Sequence, residues 1–357
     1  MRREYETIII GGGVIGSGIA YHLSEVQTDG ILVIDKEFPL NGTSGSTQGW
    51  VWVQSKTPSW YGELSMFSAE LYEYLPRKIG DIEYTRTGGI DPFFTAEERE
   101  QALRLAESQS QAGIEMHVLN RDETLALEPA LSPKIFGSIH SNLDGTVNPM
   151  RLVEQYMRAA KKNGVTYEYA NPVINIEKKP GKFIVTAKAG TFSCKKLVLS
   201  AGVWTCELGK LLGINIPVYP VRGQIIITEP LAPLLKHTLS SMRQTCNGEI
   251  LIGYTKETAG FDRRTTLDVI EETANFGAKI VPALAEAKMV RAFAGLRVMP
   301  QDEFPIIGGV PGIENLFIAA LHSGFTLSPL VGTILTELIM EGETSIPIDR
   351  CNIARFA

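Results

Sequence analysis

Apolar positions at the start of the chain follow a strand-like pattern, then a helical one, then a strand-like one again. Residues 6–12 (ETIIIGG) form a β-branched run that ends in glycine, residues 14–26 (VIGSGIAYHLSEV) predict a helix, and residues 30–37 (GILVIDKE) return to an apolar run. Short apolar runs bounded by glycine are typical of parallel strands that are buried on both faces. The pattern therefore predicts a strand, a tight turn, a helix and a second, parallel strand.

The middle of the chain predicts two helices and a series of strands. Residues 80–140 mix short strand signals with a charged segment at 95–113, whose Glu and Arg spacing suits a solvated helix face. In residues 148–165, Asn148 is the predicted N-cap of an amphipathic helix, Pro149 its first residue and Gly164 its C-terminal stop. Strand-rich sequence fills residues 166–202.

Two features mark the last third of the chain. Asn247-Gly248 lies between two strand-like runs and predicts a hairpin, which a helix near residues 265–280 follows. Residues 315–336 contain no Asp, Glu, Lys or Arg and are long enough to span a bilayer. Because His322, Gly324 and Pro329 interrupt this stretch, we expect a buried strand, a turn and a helix, and no transmembrane segment.

Length, charge and cysteine spacing narrow the class of protein. The 357 residues suffice for two domains, and a net charge of -6 disfavours nucleic acid or an anionic membrane as the partner. We do not expect Arg2-Arg3 to begin a secretory signal, because Glu4 and Glu6 follow it and glycine interrupts the apolar run. We expect a cytoplasmic protein with small-molecule chemistry and reduced, buried cysteines that form no local metal or cluster motif. These cysteines are Cys194, Cys206, Cys246 and Cys351.

The glycines between the first strand and the first helix form a dinucleotide-binding motif. Gly11 permits a tight turn, Gly13 lets a pyrophosphate approach the backbone, and Gly16 lets the helix pack closely on the strand. The N-terminus of the helix then faces the phosphates with its partial positive charge. Asp35 ends the second strand, where a carboxylate accepts hydrogen bonds from an adenosine ribose and disfavours the 2′-phosphate of NADP. The motif alone leaves both FAD and NAD open.

Nine segments, in the same order along the chain, carry a resemblance to a known family. They are IIIGGGVIGSGIAYHL, GTSGSTQG, DGTVNPMRLVEQYMRAAKKNGV, NPVINIE, LVLSAGVWT, PVRGQIIITEP, RQTCNGEILIGYT, AGLRVMPQDEFPIIGG and LHSGFTLSPLVGTILTELI. In these segments the chain resembles the FAD-dependent amino acid and amine oxidoreductases of the D-amino acid oxidase superfamily. This family includes glycine oxidase, sarcosine oxidase and the flavin subunits of opine, proline and hydroxyproline dehydrogenases. RQT and HSGFTLSP look most similar to the dehydrogenase subunits.

The resemblance implies a fold of the α/β and α+β classes with two interleaved domains. A Rossmann-like FAD-binding domain would comprise residues 1–80, 141–218 and 291–357. A substrate-binding domain built on a mixed or antiparallel sheet would comprise residues 81–140 and 219–290. The second of these segments would supply the hairpin strands that cover the flavin.

The resemblance also assigns noncovalent FAD to a set of residues. Gly11, Gly13, Val14, Ile15 and Gly16 would hold the pyrophosphate, and Asp35 and Lys36 the adenosine. The remaining positions would contact phosphate, adenine or the flavin: Thr43, Ser44, Ser46, Val173, Ala201, Gly202, Trp204, Gly295, Arg297, His322, Gly324, Phe325 and Thr326. Gly295 stands in ungapped register with the cysteine that links flavin covalently in sarcosine oxidase, and for this reason we expect no covalent bond.

Four residues are candidates for contact with the substrate or the reacting part of the flavin. Arg297 matches the arginine that grips the substrate carboxylate in glycine oxidase-like members, a role that suits a planar guanidinium. Tyr254 either faces the substrate or packs within the fold. Arg243 is either a second anchor for an anionic group or a solvated strand residue. His322 is either a ligand to the flavin or a buried imidazole whose hydrogen bonds are satisfied.

We therefore expect an enzyme that oxidises a small amino acid by hydride transfer to flavin N5, giving an imine. The resemblance favours a secondary amine or imino acid, similar to sarcosine, glycine, proline or hydroxyproline. One alternative is a flavin-dependent 2-hydroxy acid dehydrogenase, for which the sequence shows no convincing base. Another is a flavin subunit that relays electrons within a hetero-oligomeric opine or proline dehydrogenase. The expected electron acceptor is oxygen or a partner chain, and the expected protein partners are other subunits of a dehydrogenase complex or further copies of this chain in a homo-oligomer.

Overall fold

The computed structural model describes residues 3–27 and 30–357, so Arg2, which enters the argument about a secretory signal, lies outside the described residues. The strands of the described part are, in chain order, β1 (Glu4–Ile10), β2 (Ile31–Ile34), β3 (Trp50–Val51), β4 (Gly89–Phe93), β5 (His117–Asn120), β6 (Gly137–Ser141), β7 (Gly145–Thr146), β8 (Thr166–Glu168), β9 (Val173–Lys179), β10 (Lys182–Ala187), β11 (Gly190–Leu199), β12 (Val218–Thr228), β13 (Thr238–Leu239), β14 (Met242–Gln244), β15 (Ile250–Ile252), β16 (Met289–Pro300), β17 (Ile306–Val310) and β18 (Ile313–Ala320).

The α-helices alternate with these strands. They are α1 (Val14–Val26), α2 (Ser59–Tyr72), α3 (Leu75–Ile79), α4 (Ala96–Ser110), α5 (Arg121–Leu127), α6 (Pro149–Lys162), α7 (Thr205–Leu211), α8 (Leu267–Ile280) and α9 (Gly324–Met340). Within the described part of the chain, none of them is both long and apolar enough to cross a bilayer.

The central sheet has a parallel core that holds the predicted strand–helix–strand unit. Strands β18, β11, β1, β2 and β8 lie side by side in parallel. The antiparallel strand β17 extends one edge, and β10 and β9 form an antiparallel ribbon on β11. Successive residues of β1 enter two separate apolar clusters, Ile9 on one face and Ile8 and Ile10 on the other. The prediction of strands buried on both faces is confirmed.

Two further sheets of four strands lie outside the central sheet. One is antiparallel, in the order β14-β15-β12-β16, and the other is mixed, in the order β13-β4-β6-β5. This architecture agrees with the fold class expected from the sequence. Strand β16 runs without a break across the expected boundary at residues 290–291, so Arg297 lies on the antiparallel sheet. The division into domains stays a prediction.

Local sequence signals were accurate for the helices and for the hairpin. The side chain of Asn148 accepts hydrogen bonds from the N–H groups of Met150 and Arg151, at 3.0 and 3.2 Å, and Gly164 has a φ of 94°. Strands β14 and β15 pair in an antiparallel hairpin whose turn places Gly248 at a φ of 101°. Because only Gly248 of the Asn247-Gly248 pair has a positive φ, the turn differs from a two-residue type I′ turn.

One expectation needs correction. The described cysteines are all free, but only Cys194 and Cys351 are buried, whereas Cys206 is half-buried and Cys246 is exposed because it lies in the hairpin turn. The predicted order of buried strand, turn and helix in residues 315–336 is confirmed by β18 and α9, and Pro329 lies inside α9.

A tyrosine from another helix satisfies the carbonyl that Pro329 leaves without a donor. Proline has no N–H, so the carbonyl of Phe325, four residues earlier, lacks its usual helical partner. The hydroxyl of Tyr72, a fully buried residue at the end of α2, donates a hydrogen bond to this carbonyl. The same hydroxyl lies 3.2 Å from Ser328 Oγ. Helix α2 therefore stabilises the first turns of α9.

We expect Tyr72→Phe to lower the free energy of unfolding by about 1–3 kcal/mol, because it leaves the buried Phe325 carbonyl with only a long hydrogen bond from Ser328 Oγ, at 3.5 Å. Urea denaturation of the flavin-loaded protein measures this change. In a Pro329→Ala background the new N–H of residue 329 can bond to Phe325, so the same tyrosine substitution should cost clearly less. Equal losses in the two backgrounds would show that the Phe325 carbonyl is not the partner that matters.

Candidate active site

A cavity of about 730 Å³ extends from the carboxyl ends of β1, β2 and β11 to the antiparallel sheet. The ends of parallel strands are where ligands bind in sheets of this kind. All but one of the residues predicted for the cofactor line it, the exception being Gly16. The lining members of that set are Gly11, Gly13, Val14, Ile15, Asp35, Lys36, Thr43, Ser44, Ser46, Val173, Ala201, Gly202, Trp204, Gly295, Arg297, His322, Gly324, Phe325 and Thr326.

The glycine turn is shaped by two close backbone approaches. Gly11 has a φ of 108°, and a Cβ there would lie 2.5 Å from the carbonyl oxygen of Ser200 after β11. A Cβ at Gly16 would lie 1.8 Å from the carbonyl oxygen of Gly11, so Gly16 serves helix packing and does not face the cavity. A Cβ at Gly13 would meet only Ser44 Oγ, at 3.0 Å. Gly13 is therefore the position that lets a ligand reach the backbone.

Asp35 and Lys36 form the polar wall beside the glycine turn. The carboxylate of Asp35 accepts hydrogen bonds from the N–H groups of Gly12 and Glu37, at 2.7 and 2.9 Å, and burial raises its pKa. Lys36 Nζ lies 3.4 Å from the centroid of the Trp204 ring, a cation–π contact. These contacts hold an acidic and a basic side chain at fixed positions on the cavity wall.

Short polar side chains connect this wall to the antiparallel sheet. Ser44 Oγ accepts from the N–H of Val14 at 3.0 Å, and Thr43 Oγ1 donates to the carbonyl of Leu296 at 2.6 Å. A Cβ at Gly295 would lie 2.4 Å from the carbonyl oxygen of Ser46, so no side chain fits at this position. None of the four cysteines lines the cavity.

Helix α9 begins at the cavity. Its N-cap Ser323 has a left-handed φ of 60°, and Gly324, Phe325 and Thr326 follow as lining residues. Thr326 Oγ1 accepts from the N–H of Trp52 at 3.0 Å, which fixes the turn against the segment after β3. The positive end of the α9 dipole therefore points toward the cavity and favours an anionic group there.

Arg297 lies on β16 with its guanidinium facing the cavity. Its Nη1 donates to the carbonyl of Thr255 at 2.6 Å, and burial lowers its pKa. Among the described residues no carboxylate forms an ion pair with it, since the nearby Glu257 pairs with Arg222 at 2.7 Å. Gly223 on the opposing strand makes room for the side chain, because a Cβ there would lie 2.2 Å from Nη1. Most of the guanidinium donors are thus left for a ligand.

His322 is held in one tautomer by its neighbour. The hydroxyl of Ser323 accepts from Lys56 Nζ at 2.9 Å and from Tyr61 Oη at 3.3 Å, so its own proton is left for His322 Nδ1 at 3.1 Å. The Nε2 atom of His322 therefore carries the ring proton. Burial, together with the charges of Lys56, Arg297 and Lys256, lowers the pKa of His322 to about 3. The imidazole is neutral near pH 7.

The other two substrate candidates differ in placement. Tyr254 is among the residues that line the cavity, but its ring stacks on Phe276 with centroids 3.9 Å apart and its hydroxyl donates to Glu272 of α8. Arg243 on β14 is 8% exposed and does not line the cavity. It is thus neither a solvated strand residue nor a residue that the structure brings to the site.

Besides Glu37 and Glu207 at the glycine end, sequence reasoning missed three charged residues that line the cavity, namely Lys56, Asp91 and Lys256. Lys56 follows β3, and the buried Asp144 accepts hydrogen bonds from the adjacent N–H groups of Val53 and Gln54. Burial lowers the pKa of Lys56 to about 8, partly offset by the charge of Asp144. No local motif surrounds any of the three, so no sequence signal could have identified them.

Comparison with known proteins identifies the family. The family described as FAD dependent oxidoreductase matches residues 6–338. Hydrogen cyanide synthase subunit HcnC of Pseudomonas aeruginosa is 31% identical, over 100% of this chain and 97% of that protein. An opine oxidase subunit of Agrobacterium tumefaciens is 30% identical, over 99% of this chain and 98% of that protein.

A solved structure shows the same relationship. The crystal structure of glycine oxidase from Geobacillus kaustophilus superimposes with a TM-score of 0.91 at 26% identity and covers 99% of each chain. The agreement extends over the central sheet and both smaller sheets, since nearly the whole chain is matched. Because the family model covers nearly the whole chain, the protein belongs to the family of FAD dependent oxidoreductases.

Proposed function

We propose that the protein oxidises a small amino acid, with a secondary amine or imino acid similar to sarcosine, glycine, proline or hydroxyproline as the substrate. The observation that carries this proposal is Arg297, a half-buried guanidinium with no ion-pair partner among the described residues, in the same cavity as the glycine turn. A guanidinium in such a place is a bidentate partner for a carboxylate. The names of the relatives support amino acids and opines as the substrate class.

The residues at the glycine end of the cavity fit FAD. Gly13 leaves the backbone accessible, and α1 begins there with no acidic residue in its first turn, which suits a pyrophosphate. Asp35 suits a ribose hydroxyl better than a 2′-phosphate. When bound, FAD supplies the acceptor for the hydride that leaves the carbon next to the substrate nitrogen.

The chain's own residues orient the substrate and set its protonation state. Arg297 would bind the carboxylate and so fix the carbon that loses the hydride. The cations Arg297, Lys56 and Lys256 all line the cavity, and the charge of each lowers the pKa of His322. They disfavour a positive charge on the substrate nitrogen, and only a neutral amine has the lone pair that forms the imine. The neutral His322 would donate a hydrogen bond from Nε2 to an anionic oxygen.

A second candidate is a flavin subunit of a hetero-oligomeric dehydrogenase. It is favoured by two relatives that are named as subunits, one of hydrogen cyanide synthase and one of opine oxidase. In that case electrons would leave for a partner chain instead of oxygen. The described residues contain no group of His, Cys, Asp and Glu that could hold a metal ion.

One experiment tests the proposed reaction. The flavin-loaded protein is mixed without oxygen with a panel of amino acids, imino acids and 2-hydroxy acids, and the flavin absorbance is followed. Bleaching by amino or imino acids supports the proposal, and bleaching by hydroxy acids alone rejects it. Admission of air then separates the two candidates, since rapid recolouring indicates an oxidase and slow recolouring a partner as acceptor.

We expect Arg297→Gln to lower kcat/KM for a carboxylate-bearing amine by about 10- to 100-fold, the equivalent of charge-assisted hydrogen bonds worth about 1.5–3 kcal/mol. Arg297→Lys keeps the charge but loses the planar fork, so it should recover only part of the loss. Stopped-flow reduction of the flavin measures both variants. A primary amine without a carboxylate serves as the control substrate and should react equally with all three proteins, and a similar loss for it would contradict the assigned role.

We expect Gly13→Ala to weaken FAD binding by at least about tenfold while the fold is kept, because the new methyl group enters the cavity where the pyrophosphate would approach. Gly12→Ala is the matched control. A Cβ at Gly12 meets Asp35 and Val33 at ordinary distances of 3.5 Å and does not line the cavity. Flavin content after dialysis measures the binding of FAD, and a circular dichroism spectrum shows whether each variant is folded. Equal retention of flavin by Gly13→Ala and Gly12→Ala would contradict the expectation.

The lowered pKa of Lys56, about 8, predicts a pH dependence of anion binding. The side chain is charged below pH 8 and becomes neutral as the pH rises through 8, so affinity for a non-oxidisable carboxylate such as acetate should fall over that range. Flavin difference spectra at a series of pH values measure this affinity. Lys56→Met should remove the step, whereas Lys256→Met should keep it. If the fall in affinity near pH 8 persists in Lys56→Met, a group other than Lys56 causes it.

A further inference from the structure

Asp91 is a half-buried carboxylate that faces the cavity from the mixed sheet. It lies on β4 and lines the cavity together with Ser240 after β13 and Gly253 after β15. Ser240 Oγ donates to Asp91 Oδ1, while Oδ2 accepts no hydrogen bond from any described residue. Because Asp91 lines the cavity, the free lone pairs of Oδ2 can accept a hydrogen bond from a ligand bound there.

No positive charge of the described residues compensates Asp91. Burial raises its pKa, and the one charged group that acts on it, Glu98, raises the pKa further. Lys56 and Arg297 line the same cavity, yet among the described residues neither forms a hydrogen bond or an ion pair with Asp91. Asp91 lies on β4 of the mixed sheet and Arg297 on β16 of the antiparallel sheet, so the two side chains enter the cavity from different sheets.

The remaining carboxylates of the lining lie elsewhere. Asp35 and Glu37 follow β2 at the glycine end, and Glu207 lies on α7 near Lys36. Asp144 is buried behind the lining, where it accepts the N–H groups of the Lys56 segment. In the described residues, Asp91 is thus the one carboxylate that faces the part of the cavity away from the glycine turn.

We propose that Asp91 forms a subsite for a cationic group of the substrate, an ammonium or guanidinium carried at the end opposite the carboxylate that Arg297 binds. The inference rests on the proposed function and narrows its substrate class to amino acids with a basic side chain or a basic nitrogen substituent. Arg297 and Asp91 then recognise the two ends of one molecule, and a cation at Asp91 supplies the missing hydrogen-bond donor and opposite charge.

The test compares two ligands of equal length. L-arginine carries a guanidinium and L-citrulline a neutral ureido group in its place. The holoenzyme is titrated with each under anaerobic conditions, and binding is measured by calorimetry, which does not require turnover. We expect arginine to bind at least about tenfold more tightly than citrulline. Asp91→Asn should remove this preference, and Asp91→Glu, which keeps the charge, should retain part of it.

Several outcomes would overturn the subsite. They are failure of arginine to bind, equal affinities of the two ligands for the wild-type protein, and a preference that survives in Asp91→Asn. Flavin content and the melting temperature of Asp91→Asn establish that the variant is folded and loaded. The flavin absorbance reports oxidation separately. If the protein prefers arginine but no amino acid bleaches the flavin, the subsite stands and the proposed reaction is rejected. If imino acids bleach the flavin but arginine and citrulline bind with equal affinity, the proposed reaction stands and the subsite is rejected.

Discussion

The close approach of the glycine turn to the end of β11 is the constraint on which the site depends. Gly11 and Gly16 leave no space for a Cβ, so strand β1, helix α1 and the Ser200 carbonyl meet at van der Waals distance. This contact brings the N-terminus of α1 to the carboxyl edge of the parallel strands. Without it, the positive end of the helix would lie away from the cavity, and the polar residues after β2 would face solvent instead of a ligand.

The antiparallel sheet places Arg297, the proposed ligand of the substrate carboxylate, next to the carboxyl edge of the parallel strands. Strands β12 and β16 pair along their whole lengths, from Val218 opposite Pro300 to Thr228 opposite Met289, and so hold Arg297 rigidly above the cavity. Thr43 joins the two parts through the carbonyl of Leu296. A guanidinium on a long paired strand loses little freedom when it binds a carboxylate, which favours a fixed orientation of the substrate.

The electrostatics of the cavity are uneven. Three cations, Lys56, Lys256 and Arg297, together lower the pKa of His322, whereas no described cation forms an ion pair with Asp91. A ligand that is anionic at one end and cationic at the other matches this distribution better than a ligand with a single charge. The helix dipole of α9 adds to the positive end. The arrangement favours recognition of a whole molecule over recognition of one functional group.

The sequence by itself determined those secondary-structure elements that depend only on residues close together along the chain. The apolar runs of β1 and β2, the Asn148 cap and the Gly248 turn follow from neighbouring residues, and the order of glycines with Asp35 identified the dinucleotide end. Tertiary structure alone decided the positions of Lys56, Asp91 and Arg243. Lys56 and its partner Ser323 are 267 residues apart, and Tyr72 and Phe325 are 253 apart. Such contacts have no local pattern, because burial and pairing between distant segments depend on how the sheets pack and not on the spacing of residues along the chain.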